Sequence, residues 1–471
     1  MLDIDTELLT KYIIPEKQSA KRHYGVHPYF TRRPWNVVNA YIKKYSPDNG
    51  IVLDPFGGSG VTVVEASVLG RHGIQIDINP LGNFIANQLL IPAVDIQNLE
   101  KIGIALITKA KQILMEQGLD KILEDYWHPI GIKLPKDSDV EYVEDLFSDQ
   151  QTAELAVLKK LIDDVEQKDF RNLLLLTFSA TISKTNKTFI SAKNRKASRG
   201  GATILSIYRY HVPQVPVELF PIEQFALRFK KILLAKKETN LVLKGDGAVY
   251  LESATNMTSI KDTSIDYIFT DPPYGSFIKY IKLSTMWNSW LGFTVPEDLA
   301  QKEVIAQNNN DQQYFELLKQ SAKECYRVLK EGSYLSLVFS HRDLSYWRKI
   351  YNIFADAGFN YKISVPQPLK TVWSLHKKQN DLSSFAGEVI ITFKKEALSN
   401  NRKTQSLKDI IDNLFSFDET LPTDELCLNL IPKLYESGIL DEIGNKKIIL
   451  SDFLKGHLIY NAEQKSWQKT H

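Results

Sequence analysis

Cysteine is scarce in this chain, since Cys325 and Cys427 are its two cysteines among 471 residues and lie far apart. Such a sequence gives no support for a disulfide framework or a cysteine-ligated metal site, and it fits a reducing cytosol. The nine histidines are scattered without the spacing of metal ligands, so we predict no metal.

Long apolar runs are also missing, because none approaches the roughly 18 residues of a membrane span. The first residues, MLDIDTELLTKYIIPEKQSAKR, lack the apolar core of a signal peptide. We therefore expect a cytoplasmic protein with no membrane partner. The formal net charge is only +2, so binding to nucleic acid would have to rest on local charge.

What the sequence does contain is an alternation of strands and helices. Residues 51–90 give a short apolar strand, a glycine loop, a helix, a second strand and another helix. This order predicts a parallel sheet in a doubly wound α/β domain. The alternation stops after residue 95 and resumes at 246. Further strands are predicted at 246–252, 264–270, 333–340, 359–366 and 387–395, with helices at 314–332 and 344–358.

Four segments follow from this pattern. Residues 1–95 hold an N-terminal segment and the first half of the α/β domain, and 246–397 hold its second half. The stretch 96–245 is too long for a loop, so we expect a domain or subdomain of its own there. Residues 398–471 form a small appendage that we predict to be mostly helical, with a small wing at 444–454.

The first candidate site is the sequence LDPFGGSG, where the first strand meets its helix. Gly57, Gly58 and Gly60 allow a tight turn and close approach of a ligand to the backbone. Asp77 ends the second strand, where a carboxylate can accept hydrogen bonds from two ribose hydroxyls. The same arrangement serves nicotinamide dinucleotides, or is simply a capped turn. A phosphate-binding P-loop is excluded because no Gly-Lys-Ser/Thr follows the glycines.

The second candidate site is TDPPYG, which closes another apolar run. At the carboxyl end of a central strand it would lie in the crevice beside the first site. The carboxylate of Asp271 and the carbonyl of Pro272 form a pair of acceptors that matches the two N–H donors of a planar exocyclic amine. Tyr274 offers a stacking face for a base taken out of a duplex. The alternative is an ordinary turn at a strand end.

Taken together, DPFGGSG, IDINP and TDPPYG resemble the motifs of S-adenosylmethionine-dependent amino-group DNA methyltransferases, which modify N6 of adenine or N4 of cytosine. The resemblance covers most of residues 23–90 and 246–395. It implies a Rossmann-like class I methyltransferase sheet with a large inserted target-recognition region at 96–245. It also implies double-stranded DNA with a flipped base as substrate, and a setting in restriction-modification or phage defence with cognate restriction or defence proteins.

The resemblance also implies roles for individual residues. The cofactor S-adenosylmethionine would contact Asp54, Pro55, Phe56, Gly57, Gly58, Gly60, Asp77, Ser253 and Ala254. The catalytic tetrad would be Asp271, Pro272, Pro273 and Tyr274. The segment HPYFTRRPW, before the glycine loop, would help to hold the cofactor. An aspartate at the first tetrad position favours adenine, because the cytosine enzymes more often carry serine there.

A basic tract lies inside the insert. No Asp or Glu occurs between Arg171 and Val217, whereas lysines and arginines are frequent. We predict contact with nucleic-acid phosphates by Lys184, Lys187, Lys193, Arg195, Lys196 and Arg199. The alternative is a solvated basic loop.

Three other functions fit parts of this pattern. An RNA methyltransferase acting on guanine N2 can carry a similar DPPYG, but it usually has a separate N-terminal RNA-binding domain. A silent DNA-binding subunit would have lost the tetrad or the glycine loop, and both are intact. A nicotinamide dehydrogenase leaves the tetrad unexplained. The oligomeric state is not predicted.

Overall fold

A computed structural model describes residues 8–191, 200–275, 278–368, 387–397, 405–416, 420–443 and 446–469. Its centre is a seven-stranded sheet. The strands are β1 (Ile51–Asp54), β2 (His72–Asp77), β5 (Gly247–Leu251), β6 (Ile265–Thr270), β7 (Leu329–Phe339), β8 (Phe359–Pro368) and β9 (Gly387–Lys395). They lie side by side in the order β5-β2-β1-β6-β7-β9-β8. All neighbours pair in parallel except β9, which runs antiparallel to both β7 and β8.

The predicted α/β alternation is confirmed. Helices that accompany the sheet are α1 (Trp35–Tyr45), α2 (Val61–Val68), α3 (Pro80–Leu89), α12 (Asp311–Val328) and α13 (Leu344–Asp356). Shorter helices α9 (Tyr280–Leu283), α10 (Thr285–Leu291) and α11 (Glu297–Ala300) lie between β6 and α12.

Local sequence explains how the first helices begin. Gly60 has φ 90° and ψ 20°, a left-handed conformation that lets the chain turn from the glycine loop directly into α2. Pro80 occupies the first turn of α3, and the Asn79 side chain caps that helix by accepting from the backbone N–H of Leu81. These two starts fix the loops that follow β1 and β2.

The insert is mainly helical and covers one face of the sheet. It contains α4 (Ile96–Gln117), α5 (Leu119–Asp125), α6 (Asp149–Asp163), α7 (Lys168–Ile182), α8 (Pro221–Val242) and a hairpin of β3 (Phe189–Ser191) with β4 (Gly200–Ala202). Its buried residues, such as Leu158 and Phe178, belong to the same hydrophobic cluster as Val38 of α1, Ile85 of α3 and Trp287 of α10. The insert therefore shares a core with this side of the sheet.

The C-terminal segment packs on the opposite face. It contains α14 (Leu407–Leu414), α15 (Thr423–Glu436), α16 (Ile439–Ile443) and α17 (Leu450–Lys455), which share a buried cluster with α12 and α13. No helix in the described ranges is long and apolar enough to cross a membrane.

Two boundaries differ from the sequence predictions. The helix predicted to run to Gly332 ends at Val328, and β7 begins at once, because Leu329 is already extended and pairs with Ile265. The predicted wing at 444–454 is wrong for its described residues, since 450–455 form α17. The C-terminal segment instead forms a three-stranded sheet from β10 (Leu421–Pro422), which precedes this stretch, and from β11 (Leu458–Asn461) and β12 (Ser466–Lys469), which follow it.

Candidate active site

The candidate site is a cleft at the edge of the sheet where β1, β2, β5 and β6 end. Because these strands are parallel, their carboxyl ends bring Asp54, Asp77, Ser253 and Asp271 to one side of the molecule. The cleft encloses about 800 Å³ of empty space, including its open mouth. It is lined by Tyr29, Thr31, Arg32, Arg33, Asp54, Pro55, Phe56, Gly57, Gly58, Ser59, Val61, Thr62, Asp77, Ile78, Ser253, Ala254, Asp271, Pro273, Tyr280, Lys302, Glu303 and Val304.

The glycine loop packs so closely that side chains would not fit. A Cβ on Gly57 would lie 2.4 Å from the Gln75 side chain, and a Cβ on Gly60 would lie 2.7 Å from Cβ of Ala86. Gly57 and Gly58 line the cleft, whereas Gly60 is turned towards α3. The loop therefore presents bare backbone to the cleft.

Asp77 closes this loop from the end of β2. Its carboxylate accepts hydrogen bonds from the backbone N–H of Gly58 and that of Asn79, each at 2.7 Å. Burial raises the pKa of Asp77 to about 6, although both N–H groups oppose the rise. Each carboxylate oxygen has a second lone pair, so Asp77 can still accept hydroxyl donors from the cleft.

Asp54 is held as firmly at the end of β1. Its Oδ1 accepts from the backbone N–H of Phe56 at 3.1 Å and from Oγ1 of Thr270 at 3.0 Å. Its Oδ2 accepts from Oγ1 of Thr62 at 2.6 Å. Burial raises its pKa to about 7. These contacts tie β1, α2 and β6 together beneath the cleft.

Arg32 is a partly buried cation beside the glycine loop. Its Nε donates to Oγ of Ser59 at 2.8 Å, and its Nη1 donates to the carbonyl of Tyr24. Its Nη2 is buried and finds no hydrogen-bond partner among the residues that the structure describes. Burial lowers the pKa of Arg32 to about 10, so the side chain stays protonated at neutral pH. A buried donor of a cation without a described partner suits an anionic ligand group.

Glu303 adds another carboxylate on the opposite wall. It is 5% exposed, and its Oε1 accepts from the backbone N–H of Ile281 at 3.2 Å. Burial, together with a smaller contribution from the charge of Asp77, raises its pKa to about 7. Ser253 and Ala254 lie nearby, and Oγ of Ser253 is 3.4 Å from the carbonyl of Lys302, its acceptor.

The tetrad begins directly after β6. The hydroxyl of Tyr274 donates to Oδ1 of Asp271 at 2.6 Å, and the Tyr274 ring packs edge-on against Phe339 with centroids 5.2 Å apart. The carbonyl of Pro273 accepts from the hydroxyl of Tyr314 at 2.8 Å. Within the described part of the chain, no donor reaches the carbonyl of Pro272. The acceptors without an aligned donor in this part of the chain are thus that carbonyl and Oδ2 of Asp271, which faces Nε of Arg33 at 2.7 Å.

The predicted nucleic-acid residues are described only in part. Nζ of Lys187 donates to the carbonyl of Asp145 at 2.8 Å. Nζ of Lys184 lies 5.9 Å from the Phe189 ring centroid, and burial together with Arg228 and Lys231 lowers its pKa to about 8. Lys193, Arg195, Lys196 and Arg199 fall in 192–199, outside the described residues.

The strand-end acids and the glycines were foreseen from sequence, but Arg32, Arg33, Glu303 and Glu388 were not. Arg32 and Arg33 belong to HPYFTRRPW, a segment whose closeness to the cofactor was expected without residue roles. Arg33 forms ion pairs with Asp271 and Glu388. Glu303 had no sequence signal, because it comes from an irregular segment after α11.

Comparison with known proteins assigns the chain to a family. The model of the N6/N4 methylases, described as DNA methylase, matches residues 6–82 and 265–437, which together make more than half of the chain. The chain belongs to this family. The residues between the two matched ranges include the whole insert, as expected if the insert is added to a methylase core. S-adenosylmethionine is the cofactor of the N6/N4 DNA methylases.

Individual relatives are more distant. The type II methyltransferase M.MjaII of Methanocaldococcus jannaschii is 24% identical over 338 residues, which are 57% of this chain and 62% of that protein. The type II methyltransferase M.MvaI of Kocuria varians is 21% identical over 266 residues, 54% of each chain. The match thus spans less than two thirds of the length of either relative.

Solved structures that match this chain include an S-adenosylmethionine-dependent methyltransferase of Methanosarcina mazei. It is 11% identical, with a TM-score of 0.29 over 76% of this chain and 98% of that one. The rRNA methyltransferase AviRa of Streptomyces viridochromogenes is 10% identical, with a TM-score of 0.26 over 82% of this chain and 96% of that one.

The cleft of this N6/N4 DNA methylase fits S-adenosylmethionine. The cofactor carries a carboxylate, for which the buried Nη2 of Arg32, unpartnered among the described residues, is a suitable donor. It carries a ribose, for which Asp77 provides acceptor lone pairs at the end of β2. Bare backbone at Gly57 and Gly58 permits close approach.

Proposed function

We propose that this chain is a DNA methyltransferase that modifies the exocyclic amine of a base, with N6 of adenine favoured over N4 of cytosine. The observation that carries the proposal is a single cleft shared by Asp271 of the tetrad and by Asp77 with the glycine loop. A methyl donor held by the loop would therefore lie next to an amine held by the tetrad.

The tetrad is expected to hold the amine rather than to deprotonate it strongly. An exocyclic amine is a poor nucleophile, because its lone pair is conjugated with the ring. If Oδ2 of Asp271 and the carbonyl of Pro272 accept its two hydrogens, the amine is oriented for attack. The hydroxyl of Tyr314 fixes the adjacent carbonyl of Pro273, and this contact restrains the backbone of the tetrad.

The cofactor side is assigned to four residues. Arg32 would bind the carboxylate of the methionine moiety, Asp77 the ribose, and Ser253 with Ala254 the neighbourhood of the adenine. When bound, S-adenosylmethionine supplies the electrophilic methyl group. Asp271 is the acid closest to the expected amine, and it keeps that amine from turning away from the cleft.

Adenine is favoured because the tetrad begins with aspartate, whereas the cytosine-N4 enzymes more often carry serine there. The base would be flipped from double-stranded DNA and stacked on Tyr274. The insert, 96–245, would read the target through its basic tract. Two relatives are called type II methyltransferases, so we propose a role in restriction-modification. A cytoplasmic location remains a prediction from sequence.

The test is incubation of the purified protein with methyl-labelled S-adenosylmethionine and unmethylated bacterial DNA, with tRNA in parallel. Product nucleosides are then separated and identified by mass spectrometry. We expect N6-methyladenine in DNA. N4-methylcytosine would transfer the proposal to the other base, and methylation of tRNA alone, or no product at all, would refute it.

Two variants make the result specific. Asp271→Ala should abolish transfer and still bind the cofactor, since Asp271 is assigned to the amine. Asp262→Ala is the matched control, because Asp262 is an acid just before the same strand, at its other end, where its side chain is 72% exposed and paired with Arg327. Equal activity of Asp271→Ala and Asp262→Ala would refute the assigned role of Asp271.

A further inference from the structure

Asp271 faces a partly buried cation, Arg33, that the family motifs do not include. Nε of Arg33 lies 2.7 Å from Oδ2 of Asp271, and Nη1 of Arg33 contacts Oε2 of Glu388. The side chains of Arg33, Asp271 and Glu388 are only 16%, 19% and 7% exposed, respectively. They therefore form a largely desolvated cluster of one positive and two negative groups. In such a cluster the loss of one group would leave the remaining charges poorly compensated.

The fold explains how these residues meet. Asp271 follows β6, whose carboxyl end lies at the cleft. Because β9 is antiparallel to its neighbours, its first residues lie at this same edge, and Glu388 pairs with Gln367 there. Arg33 comes from the segment that precedes α1. The side chain of Gln367 in turn bonds the backbone of Ile13, which fastens the N-terminal segment to the same corner.

The geometry of the contact leaves Asp271 able to bind a substrate. Although Nε of Arg33 is close to Oδ2, its N–H is not aligned with that oxygen, so the contact is an ion pair without a well-formed hydrogen bond. The aligned donor to Asp271 is the hydroxyl of Tyr274, and it uses Oδ1. Arg33 thus supplies charge while Oδ2 keeps lone pairs for another N–H donor.

The positive charge of Arg33 is needed because the surroundings of Asp271 oppose ionisation of its carboxyl group. Burial raises the pKa of Asp271, and Glu388 raises it further, whereas Arg33 lowers it. Among the residues that the structure describes, the other groups facing Asp271 are the hydroxyl of Tyr274, the carboxyl of Asp54 and the hydroxyl of Tyr280. None of these three is a cation. A protonated Asp271 would be a poorer acceptor for an amine hydrogen.

We propose that Arg33 is a positioning residue that keeps Asp271 ionised and directed into the cleft, and that Glu388 holds Arg33 in place. This inference rests on the proposed function, since it assigns a task to Asp271 in amine binding. A residue that merely fastened the N-terminal segment would affect stability and rate, but it would not change the pH at which the enzyme gains activity.

The first test is the pH dependence of single-turnover methyl transfer between about pH 5.5 and 9, with cofactor and DNA saturating. In Arg33→Gln the acid limb of the pH–rate profile should move to higher pH by about one unit or more, because the positive charge next to Asp271 is removed. In Glu388→Gln it should move down, because a like charge is removed while the amide oxygen of glutamine can still accept from Nη1 of Arg33 and hold it in place. Arg33→Lys should keep the limb near that of the wild type, at a lower plateau rate.

Arg71→Gln is the matched control. Arg71 is 5% exposed and pairs with Asp48, and it directly precedes β2, so it lies where the parallel strands begin and away from the cleft. It should lower stability without a shift of the limb. Limbs that coincide in wild type, Arg33→Gln and Glu388→Gln would overturn the proposal. If Arg33→Gln does not fold, Glu388→Gln and Arg33→Lys decide: a limb that moves down in Glu388→Gln and stays near that of the wild type in Arg33→Lys supports the proposal, and a limb unmoved in Glu388→Gln overturns it.

A second measurement does not need activity. Urea midpoints of wild type, Arg33→Gln, Asp271→Asn and the double variant form a double-mutant cycle, measured at about pH 5 and pH 8. Coupling that is present at the higher pH and weaker at the lower supports the ion pair. Coupling that is absent at both overturns the inference. An inactive wild type with strong coupling would refute the proposed function and leave the ion pair intact.

Discussion

Replacement of Gly60 by alanine tests how the cofactor loop is built, because two separate costs arise at this residue. Gly60 has φ 90°, where an L-residue costs about 1–2 kcal/mol. The new Cβ would also lie 2.7 Å from Cβ and 2.9 Å from Cα of Ala86 in α3. Overpacking of this kind typically costs about 1–3 kcal/mol. Gly60→Ala should therefore lower the free energy of unfolding by about 2–5 kcal/mol.

Gly292→Ala separates the two costs. Gly292 has φ 73° and ψ 24°, close to the conformation of Gly60, but nothing lies within 4 Å of a Cβ built there. Its substitution should lower the free energy of unfolding by only about 1–2 kcal/mol. Urea unfolding of both variants gives the difference, which we expect to be about 1–3 kcal/mol. Equal effects would show that α3 does not pack tightly on the loop.

Gly60→Ala should also weaken cofactor binding. The loop presents Gly57 and Gly58 to the cleft, and Gly60 ends it, so a clash with Ala86 must move the loop or α3. Isothermal titration with S-adenosylmethionine should show a lower affinity in Gly60→Ala and an unchanged affinity in Gly292→Ala.

Three further predictions concern the tetrad, the cofactor acid and the basic tract. Tyr274→Phe should reduce transfer less than Tyr274→Ala, because the ring is kept and only the hydrogen bond to Asp271 is removed; equal rates in the two variants would contradict a stacking role. The affinity for the cofactor should rise from about pH 5 to pH 7, because the raised pKa of Asp77 leaves part of this carboxyl protonated below about pH 6. Titration calorimetry should show that Asp77→Asn flattens this rise. A variant with alanine at four positions should bind DNA more weakly; the positions are Lys193, Arg195, Lys196 and Arg199. Its plot of log affinity against log salt concentration should have a shallower slope, by up to about 0.9 for each phosphate that is no longer neutralised. An unchanged slope would contradict phosphate binding by these residues.

The parts of the site that sequence predicts are those set by local pattern. Asp54, Asp77 and Asp271 each close a buried apolar run, and in a parallel sheet such ends converge whatever lies between them. The glycine loop is equally local. The ion pair of Arg33 with Glu388 joins residues 355 apart in the chain, and it depends on β9 being antiparallel. Spacing along the sequence carries no signal for such a contact.

The C-terminal segment illustrates a different limit. Its helices were predicted, but its small sheet consists of strands of two to four residues, too short for a clear alternation of apolar and polar residues. Its hairpin turns through Lys465, a non-glycine residue at φ 52°, so the usual glycine signal for a tight turn is missing. Buried Trp467, which bonds Thr423, holds this sheet to α15.

Two adjacent arginines connect both halves of the cleft. Pro34 follows Arg33, and a residue before proline is biased towards an extended backbone, in which successive side chains point to opposite sides. Arg32 accordingly reaches Ser59 of the glycine loop, while Arg33 reaches Asp271 of the tetrad. A short segment before α1 therefore places one partly buried cation beside the loop and the next beside Asp271. Any movement of this segment would change the electrostatic surroundings of the glycine loop and of Asp271 at the same time.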